Sequence, residues 1–218
     1  MIVIAIQNPK GGVAKTTTAV NLAGGFQHLY GLKAAIADTD PQRSACEWAA
    51  DNDSEQGAPV KVIELRTIEE ISNIRTNPDF SDYDVILVDG CADGFRQLRA
   101  ASNVSDLVLF VSQPSPADIK PLGEAVDLVS GRDCKVAFLM TNVDQYETDL
   151  KNAVVAALKD AYDLPVFDSH IRRYKAYKET FGVGETIFCD SSYRKPQADI
   201  QAVINDCLDL LEIEMEVM

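Results

Sequence analysis

Residues 8–17 read NPKGGVAKTT, and this stretch decides the fold. It follows a short apolar run at residues 2–7 and leads into a segment of helical periodicity at residues 15–29. Gly11 and Gly12 allow the backbone to approach a bound group closely, and the amides that open the next helix present donors and a partial positive charge. A strand, a glycine-rich loop and a helix in this order are typical of a phosphate-binding loop.

The two residues that end this loop carry the chemistry of a nucleoside triphosphate site. Lys15 can reach the β- and γ-phosphates, and the Thr16 hydroxyl can ligate Mg²⁺. A glycine-rich turn without a ligand is the alternative, but such a turn does not require strand, loop, Lys-Thr and helix to stand in order. We therefore predict that the chain binds ATP or ADP with Mg²⁺. The residues expected to contact the nucleotide here are Gly11, Gly12, Val13, Ala14, Lys15, Thr16 and Thr17.

Short apolar, β-branched runs alternate with helical segments along the rest of the chain. Further strands are predicted at residues 33–38, 60–65, 85–89, 107–112, 136–141 and 166–168, and further helices at residues 42–50, 68–75, 117–129, 148–162 and 198–212. Apolar strands separated by helices indicate a parallel sheet covered on both faces. We predict a three-layer α/β fold, with a mostly parallel, twisted sheet between two helical layers, in a single P-loop domain over residues 1–218.

Carboxylates follow two of the predicted strands. Residues 38–42 read DTDPQ, and residues 85–89 form an apolar run that ends in Asp89. Asp-Pro also begins ordinary turns and helices, so this pattern alone does not decide a function. Because ligands of parallel sheets bind at the carboxyl ends of strands, both carboxylate segments should meet the phosphate loop there. Asp89 is then expected to hold Mg²⁺ through water.

The composition restricts the classes of function. A net charge of −14 over 218 residues argues against a uniformly basic nucleic-acid binder and against adhesion to anionic membranes. No apolar run approaches the roughly 20 residues of a membrane span, and no signal peptide is visible, so we expect a cytoplasmic protein. The cysteines show no CxxC spacing, which favours reduced thiols over a metal or cluster site. They are Cys46, Cys91, Cys134, Cys189 and Cys207.

The loop departs from the standard GxxxxGK[ST] pattern in two places. Pro9 occupies the first glycine position, and Lys10 adds a second lysine. The stretch resembles the deviant Walker A box, KGGxGK[ST], of the ParA/MinD family of ATPases, and the resemblance covers nearly the whole chain in motif order. It implies an ATP-sandwich homodimer in which Lys10 reaches the phosphates of the other subunit. A lysine supplied in this way would stabilise charge on the transferring phosphoryl group, as an arginine finger does.

The same resemblance assigns roles to the carboxylates. The family carries a DxDPQ segment as its first switch, so Asp40 is implied to position the attacking water. Asp38 is implied to organise the magnesium shell together with Thr16 and Asp89. An aspartate that orients water beside Mg²⁺ is chemically sufficient, because hydrolysis needs little covalent help. The catalytic residues implied for a slow ATP hydrolase are Lys10, Lys15 and Asp40.

Ala14 is a departure within the box, because the family has glycine before the P-loop lysine. If the position requires a positive φ, alanine adds strain on the order of 1 kcal/mol or more. Its methyl group would also crowd the β-phosphate. Our hypothesis is that Ala14 weakens nucleotide affinity or slows hydrolysis.

Two further segments resemble the ParF-like plasmid partition subgroup. Residues 89–92 read DGCA and residues 114–118 read PSPAD. The resemblance implies that Pro114 helps to form the adenine pocket and the subunit contact. A proline at the start of a helix is the alternative, and both interpretations can hold together. Asn142 ends the next strand where relatives place a base-recognising asparagine, so we expect it to contact adenine.

Residues 170–178, HIRRYKAYK, form the densest cationic stretch of this acidic chain. Four charges and two tyrosines can bind DNA phosphates without reading sequence, although a solvated helix face is the alternative. ParA-type dimers bind nonspecific DNA through carboxyl-terminal basic residues, which favours the DNA interpretation. The residues implied to bind DNA are Arg172, Arg173, Lys175 and Lys178.

The function implied by the resemblance is a ParA-type positioning ATPase. It would dimerise on ATP, bind the nucleoid, and release it when a ParB-like or adaptor partner stimulates hydrolysis. The leading cargo is a plasmid, so that the function would be plasmid partition, and the alternative is McdA-like positioning of carboxysomes. A MinD-like membrane ATPase is disfavoured, because the acidic segment at residues 208–216 would be repelled by anionic lipid. Scattered cysteines disfavour an iron–sulfur ATPase, and Lys10 disfavours a ligase such as dethiobiotin synthetase.

Overall fold

The computed structural model describes residues 1–55, 57–92 and 94–217. Its strands are β1 (Ile2–Gln7), β2 (Ala34–Asp38), β3 (Lys61–Glu64), β4 (Val85–Asp89), β5 (Leu107–Ser112), β6 (Lys135–Val143) and β7 (Val166–Arg172). Its helices are α1 (Lys15–Tyr30), α2 (Ser44–Ala50), α3 (Ile68–Ser72), α4 (Phe95–Val104), α5 (Ile119–Val129), α6 (Thr148–Tyr162), α7 (Lys175–Phe181) and α8 (Arg194–Leu210). The strands form one sheet in the order β3-β2-β4-β1-β5-β6-β7, and all the pairs are parallel.

Helices cover both faces of this sheet, as the apolar strands require. Strands β2, β4 and β5 are buried along their whole length. One core packs α1, α2, α7 and α8 against the sheet and includes Phe26 and Trp48. The other packs α3, α4, α5 and α6 on the opposite face and includes Leu122 and Leu158. The predicted three-layer α/β fold is confirmed.

The sequence pattern does not predict the helices α4 and α7. Helix α4 fully buries one large apolar side chain, Leu98, beside the small residues Ala100, Ala101 and Ser102, so few large apolar residues mark it in the sequence. Helix α7 spans only seven residues, which is too short for a helical period to stand out. The helix predicted at residues 117–129 begins with a 3-10 turn, Pro116–Asp118, before α5.

Strand β7 is longer than predicted, because side chains of α8 satisfy its outer edge. It was expected at residues 166–168 but continues to Arg172. The Ser169 N–H donates to the Asp206 carboxylate over 3.1 Å, and the Arg172 N–H donates to the Asp199 carboxylate over 3.1 Å. Edge strands expose unpaired backbone groups, and here a helix supplies the acceptors. The first half of the basic segment is therefore strand and not helix.

Parallel topology brings the carboxyl ends of the central strands to one edge, where the phosphate loop lies between β1 and α1. Asp89 at the end of β4 is in register with Asp38 on one side and with Ile6 on the other. The segments singled out in the sequence thus meet where ligands of such sheets bind. Among the described residues, no helix combines the length and the apolar character needed to cross a bilayer.

Candidate nucleotide site

The phosphate loop has the backbone geometry of an anion cradle. Gly12 has φ 77°, and Ala14 has φ 68° and ψ 31°, so both are left-handed. A Cβ added at Gly12 would meet no atom within 4 Å, which means that open space faces this part of the loop. Helix α1 begins at Lys15 without a side-chain cap, and the first amides of a helix are donors available to an anion. Ala14 therefore has the positive φ at which alanine adds strain, and the effect of that strain on nucleotide binding stays a prediction.

Replacement of Ala14 by glycine is expected to tighten ATP binding several-fold, equivalent to about 1 kcal/mol of binding free energy. Glycine removes the methyl group and widens the range of backbone angles with which the loop can close on a phosphate. Calorimetric titration of both chains with ATP and Mg²⁺ tests this expectation. Asp163→Gly is the matched control, because Asp163 is also left-handed, at φ 49°, but lies after α6. Equal ATP affinity in Ala14→Gly and the unsubstituted chain would contradict the hypothesis.

Three polar side chains hold the cradle against the neighbouring strands. Gln113 Nε2 donates to the Gly12 carbonyl over 2.8 Å, and Thr141 Oγ1 donates to the Val13 carbonyl over 3.0 Å. Asn8 Nδ2 donates to the carbonyl of Val111 in β5 over 2.7 Å. Sequence reasoning missed all three. Their positions in the sequence could have identified them, because each lies near or just after the carboxyl end of a strand.

Lys15 is buried at the start of α1, and its ammonium group lies against the loop itself. Lys15 Nζ donates to the Lys10 carbonyl over 2.9 Å. The next two residues, Thr16 and Thr17, are half-buried. A buried ammonium group beside the phosphate loop suits an anionic ligand, because the ligand's charge would offset the cost of burying the cation.

Two buried carboxylates stand side by side at the ends of β2 and β4. The Asp38 carboxylate accepts hydrogen bonds from the backbone N–H groups of Asp40 over 3.1 Å and Cys46 over 2.9 Å. Asp89 is fully buried, and among the described residues neither of its carboxylate oxygens has a hydrogen-bond partner of good geometry. Asp38 therefore organises the backbone after β2, while Asp89 is the carboxylate available to a cation.

The electrostatics of Asp89 fit a divalent cation. Burial raises the pKa of its carboxyl from the ordinary 3.8 to about 7; the Thr16 hydroxyl and Lys15 lower it, and Asp38 and Asp40 raise it. Burial also raises the pKa of Asp38. Across residues 1–55, 57–92 and 94–217, no cluster of three or more His, Cys, Asp or Glu could hold a metal. Mg²⁺ commonly keeps waters and phosphate oxygens beside one or two carboxylates, so the residues present fit it as a phosphate-bound ion.

The segment after β2 is tied to β4 and keeps Asp40 accessible. Thr39 donates to the Asp89 carbonyl from both its N–H, over 3.1 Å, and its hydroxyl, over 2.7 Å. Asp40 Oδ1 accepts from the Gln42 N–H over 2.9 Å. The Asp40 side chain lines a cleft of about 320 Å³, which Glu64 also lines. A half-buried carboxylate beside an open cleft can contact a water molecule.

Lys10 is held within its own chain. Its ammonium group contacts the carboxylate of Asp118, in the turn before α5. The Lys10 side chain is 48% exposed and that of Asp118 is 1% exposed. The second oxygen of Asp118 has no hydrogen-bond partner among the residues that the structure describes. Lys10 would therefore have to leave a buried carboxylate in order to reach another subunit.

The residues predicted to contact adenine lie at the same sheet edge. Pro114 is buried in the connection after β5, next to the Gln113 that holds the phosphate loop. Asn142 lies near the end of β6 with a left-handed φ of 52° and is half-buried. The fold brings both residues to the edge of the phosphate loop, and their contact with a base stays a prediction.

The four basic residues predicted to bind DNA divide into two groups. Arg172 donates two hydrogen bonds from Nε to the buried Asp199 carboxylate, over 3.0 and 3.1 Å, and its guanidinium lies 5.3 Å from the centre of the Tyr174 ring. Arg173 and Lys178 are exposed, and exposed Lys175 pairs with Glu179 over 2.6 Å. Arg172 thus holds β7 to α8, and the solvent-facing charge comes from the other three.

Comparison with known proteins gives results that agree with this geometry. A protein-family profile described as "CobQ/CobB/MinD/ParA nucleotide binding domain" matches residues 4–187. "Maintenance of carboxysome distribution protein A" of Gloeobacter kilaueensis is 31% identical over 212 residues, which cover 94% of this chain and 93% of that protein.

Two solved structures share the fold. The MinD cell division protein of Aquifex aeolicus has a TM-score of 0.72 at 20% identity, covering 95% of this chain and 97% of that chain. Cobyrinic acid a,c-diamide synthase of Mycobacterium smegmatis, with bound ADP and magnesium, has a TM-score of 0.66 at 18% identity, covering 100% of this chain and 99% of that chain.

Proposed function

The chain belongs to the CobQ/CobB/MinD/ParA nucleotide-binding domain family, and from this premise we propose that it is a ParA-type ATPase that dimerises on ATP, binds DNA without reading sequence and positions a cargo. The observation that carries the proposal is the second lysine of the phosphate loop, Lys10, which is half exposed at the sheet edge where Asp38 and Asp89 end their strands. A synthase shares the fold, and Lys10 favours a composite site over a small-molecule ligase.

ATP with Mg²⁺ is the proposed cofactor pair, and ADP is the product that stays bound after hydrolysis. The loop amides and Lys15 would bind the β- and γ-phosphates, while Thr16 and Asp89 would hold the cation. Asp38 would act through the backbone that it anchors. Bound Mg²⁺ supplies charge neutralisation of the phosphates. The ADP and magnesium of the synthase support this assignment, because that structure shares the fold.

Hydrolysis is proposed to depend on Asp40 and on Lys10. The Asp40 carboxylate is accessible from the cleft and would orient a water molecule toward the γ-phosphate. Lys10 of the opposite subunit would approach the phosphate from the other side and stabilise the charge of the transition state. In the single chain Lys10 contacts Asp118, so the proposed homodimer would complete the site only after Lys10 leaves that carboxylate.

The cargo is the finer part of the proposal. Plasmid partition, the cargo class of the ParF-like subgroup, rests on the similarity of residues 89–92 and 114–118 to that subgroup. The whole-length relative in Gloeobacter kilaueensis is named for carboxysome distribution, which favours a protein compartment as the second candidate. A neighbouring gene for a small DNA-binding protein would support plasmid partition, and carboxysome genes beside this one would support the compartment. In either case a ParB-like or adaptor partner would stimulate hydrolysis.

We propose that the protein localises to the nucleoid and not to a membrane, and the charge of one segment supports the second part of this proposal. The carboxyl-terminal segment at residues 208–216 is acidic, and Ile213 and Met215 pack against the helical layer of α1 and α8. Anionic lipid would repel this segment. Co-sedimentation of the ATP-bound protein with anionic vesicles would contradict this part of the proposal.

Sedimentation velocity with ATP, with ADP and without nucleotide tests the proposed ATPase cycle. We expect a monomer with ADP and a dimer with ATP and Mg²⁺, together with slow release of phosphate. The control is Lys15→Ala, which should lose ATP binding and stay monomeric. A chain that binds ATP but remains monomeric and releases no phosphate would overturn the proposal.

A further inference from the structure

The amino-terminal end of helix α2 is joined to Asp38, which lies beside the candidate magnesium ligand Asp89. The Asp38 carboxylate accepts from the N–H of Cys46, in the first turn of α2, over 2.9 Å. The same carboxylate accepts a hydrogen bond from the Asp40 N–H, so the Asp38 side chain holds both the backbone at Asp40 and the first turn of α2. A change in the position of Asp38 when nucleotide binds would therefore move α2.

The other end of α2 is joined to the segment that follows the basic helix α7. Trp48 Nε1 donates to the Glu185 carbonyl over 3.3 Å. Asn52, just beyond α2, donates from Nδ2 to the Gly184 carbonyl and to the Glu185 carboxylate, both over 3.1 Å. Trp48 is fully buried and is the sole tryptophan of the chain. The contact thus includes both backbone and side-chain hydrogen bonds.

Close packing seats this segment on α2. Gly184 has φ 66°, and a Cβ added there would lie 2.6 Å from the Asn52 nitrogen and 2.7 Å from the Trp48 carbonyl oxygen. The segment is also tied to α7, since the Glu185 N–H donates to the Thr180 carbonyl over 2.9 Å. The Gly184 segment thus has no room for a side chain against α2 and is hydrogen-bonded to α7 as well.

We propose that α2, through Trp48 and Asn52, transmits the nucleotide state from Asp38 to the basic face of α7 and so sets the affinity for DNA. The inference rests on the proposed function and adds its regulation. Trp48 and Asn52 are positioning residues, because their side-chain nitrogens donate to Gly184 and Glu185 and not to the nucleotide site. Coupling between two sites of one protein typically changes affinity by about 5- to 150-fold. A test must therefore measure both the nucleotide site and the DNA-binding surface.

Gly184→Ala is the decisive variant, because the new methyl group would separate the Gly184 segment from α2. The unsubstituted chain should bind random duplex DNA more tightly with ATP than with ADP, by a factor in that typical 5- to 150-fold range. Gly184→Ala should bring this ratio close to one while the chain still binds ATP. Gly131→Ala is the matched control, since Gly131 has φ 72° but no atom within 4 Å of the added Cβ. It should keep the full ratio.

Asn52→Ala is a milder second variant, which removes two hydrogen bonds and adds no clash. It should lower the ATP-to-ADP ratio of DNA affinity without changing the affinity for ATP. If Gly184→Ala does not fold, this variant decides. A ratio in Asn52→Ala, or in folded Gly184→Ala, equal to that of the unsubstituted chain would overturn the inference and leave the proposed function standing.

Trp48 fluorescence gives a readout that does not depend on DNA. Addition of ATP and Mg²⁺ should change the Trp48 emission of the unsubstituted chain and of Gly131→Ala, and should change it much less in Gly184→Ala. An emission that ATP leaves unchanged would overturn the inference even if DNA binding depends on ATP. A clear change in emission without any DNA binding would support movement of α2 and overturn the DNA-binding part of the proposed function.

Discussion

Lys10→Ala is expected to lower the rate of ATP hydrolysis by about 10³-fold or more, the range found for arginine fingers, while ATP binding is retained. The substitution removes the ammonium group proposed to stabilise the transferring phosphoryl group. It preserves the Lys10 carbonyl that accepts the hydrogen bond of Lys15, so the cradle keeps its geometry. Single-turnover phosphate release at saturating ATP measures the loss, and an unchanged rate would contradict the role of Lys10.

Mixing two inactive variants tests whether Lys10 acts on the other subunit. In a mixed dimer of Lys10→Ala and Asp40→Ala, the site on the Lys10→Ala subunit has its own Asp40 and receives Lys10 from its partner. Random pairing makes half of the dimers mixed, each with one complete site, so about a quarter of the normal rate should return. A lysine that acts within its own chain predicts no recovery on mixing.

Asp118→Asn is the control for the ion pair that Lys10 makes in the single chain. This variant removes the buried charge that Lys10 contacts but keeps the lysine itself. It should retain hydrolysis, whereas Lys10→Ala should not. Similar losses in both variants would mean that the Lys10–Asp118 pair, and not the trans action of Lys10, maintains the site.

The fold and the edge of the site follow from local patterns, whereas the partners of individual charges do not. The hydrophobic period, the length of the apolar runs and the turn residues place the phosphate loop, Asp38 and Asp89 at strand ends. The parallel topology of the sheet then brings them together. The partner of Lys10 is 108 residues away, and that of Arg172 is 27 residues away. No sequence period encodes such pairs. The strand predicted at residues 166–168 misses the polar second half of β7 for the same reason, because the acceptors of the backbone N–H groups there are carboxylates of α8.

The division of the basic residues changes which substitutions can test DNA binding. Removing Arg172 would leave the buried Asp199 carboxylate without its guanidinium partner, and breaking such pairs destabilises proteins. A loss of DNA binding in an Arg172 variant would then report damage to the fold. Arg173 and Lys178 are exposed and have no ion-pair partner in the described part of the chain, so they are the informative positions.

Arg173→Ala/Lys178→Ala is expected to weaken the binding of ATP-bound protein to random duplex DNA by about tenfold or more. Each contact between a basic side chain and a phosphate favours binding by releasing one counterion from the DNA, and the variant loses two such contacts. The slope of log affinity against log salt should become shallower by about two. The matched control is Lys33→Ala/Lys61→Ala, which removes two exposed charges at the amino-terminal ends of β2 and β3. Equal losses in both double variants would show that overall charge, and not this surface, governs DNA binding. A selective loss with ATP-dependent dimerisation intact would assign the contact to α7 and to Arg173 in the connection between β7 and α7.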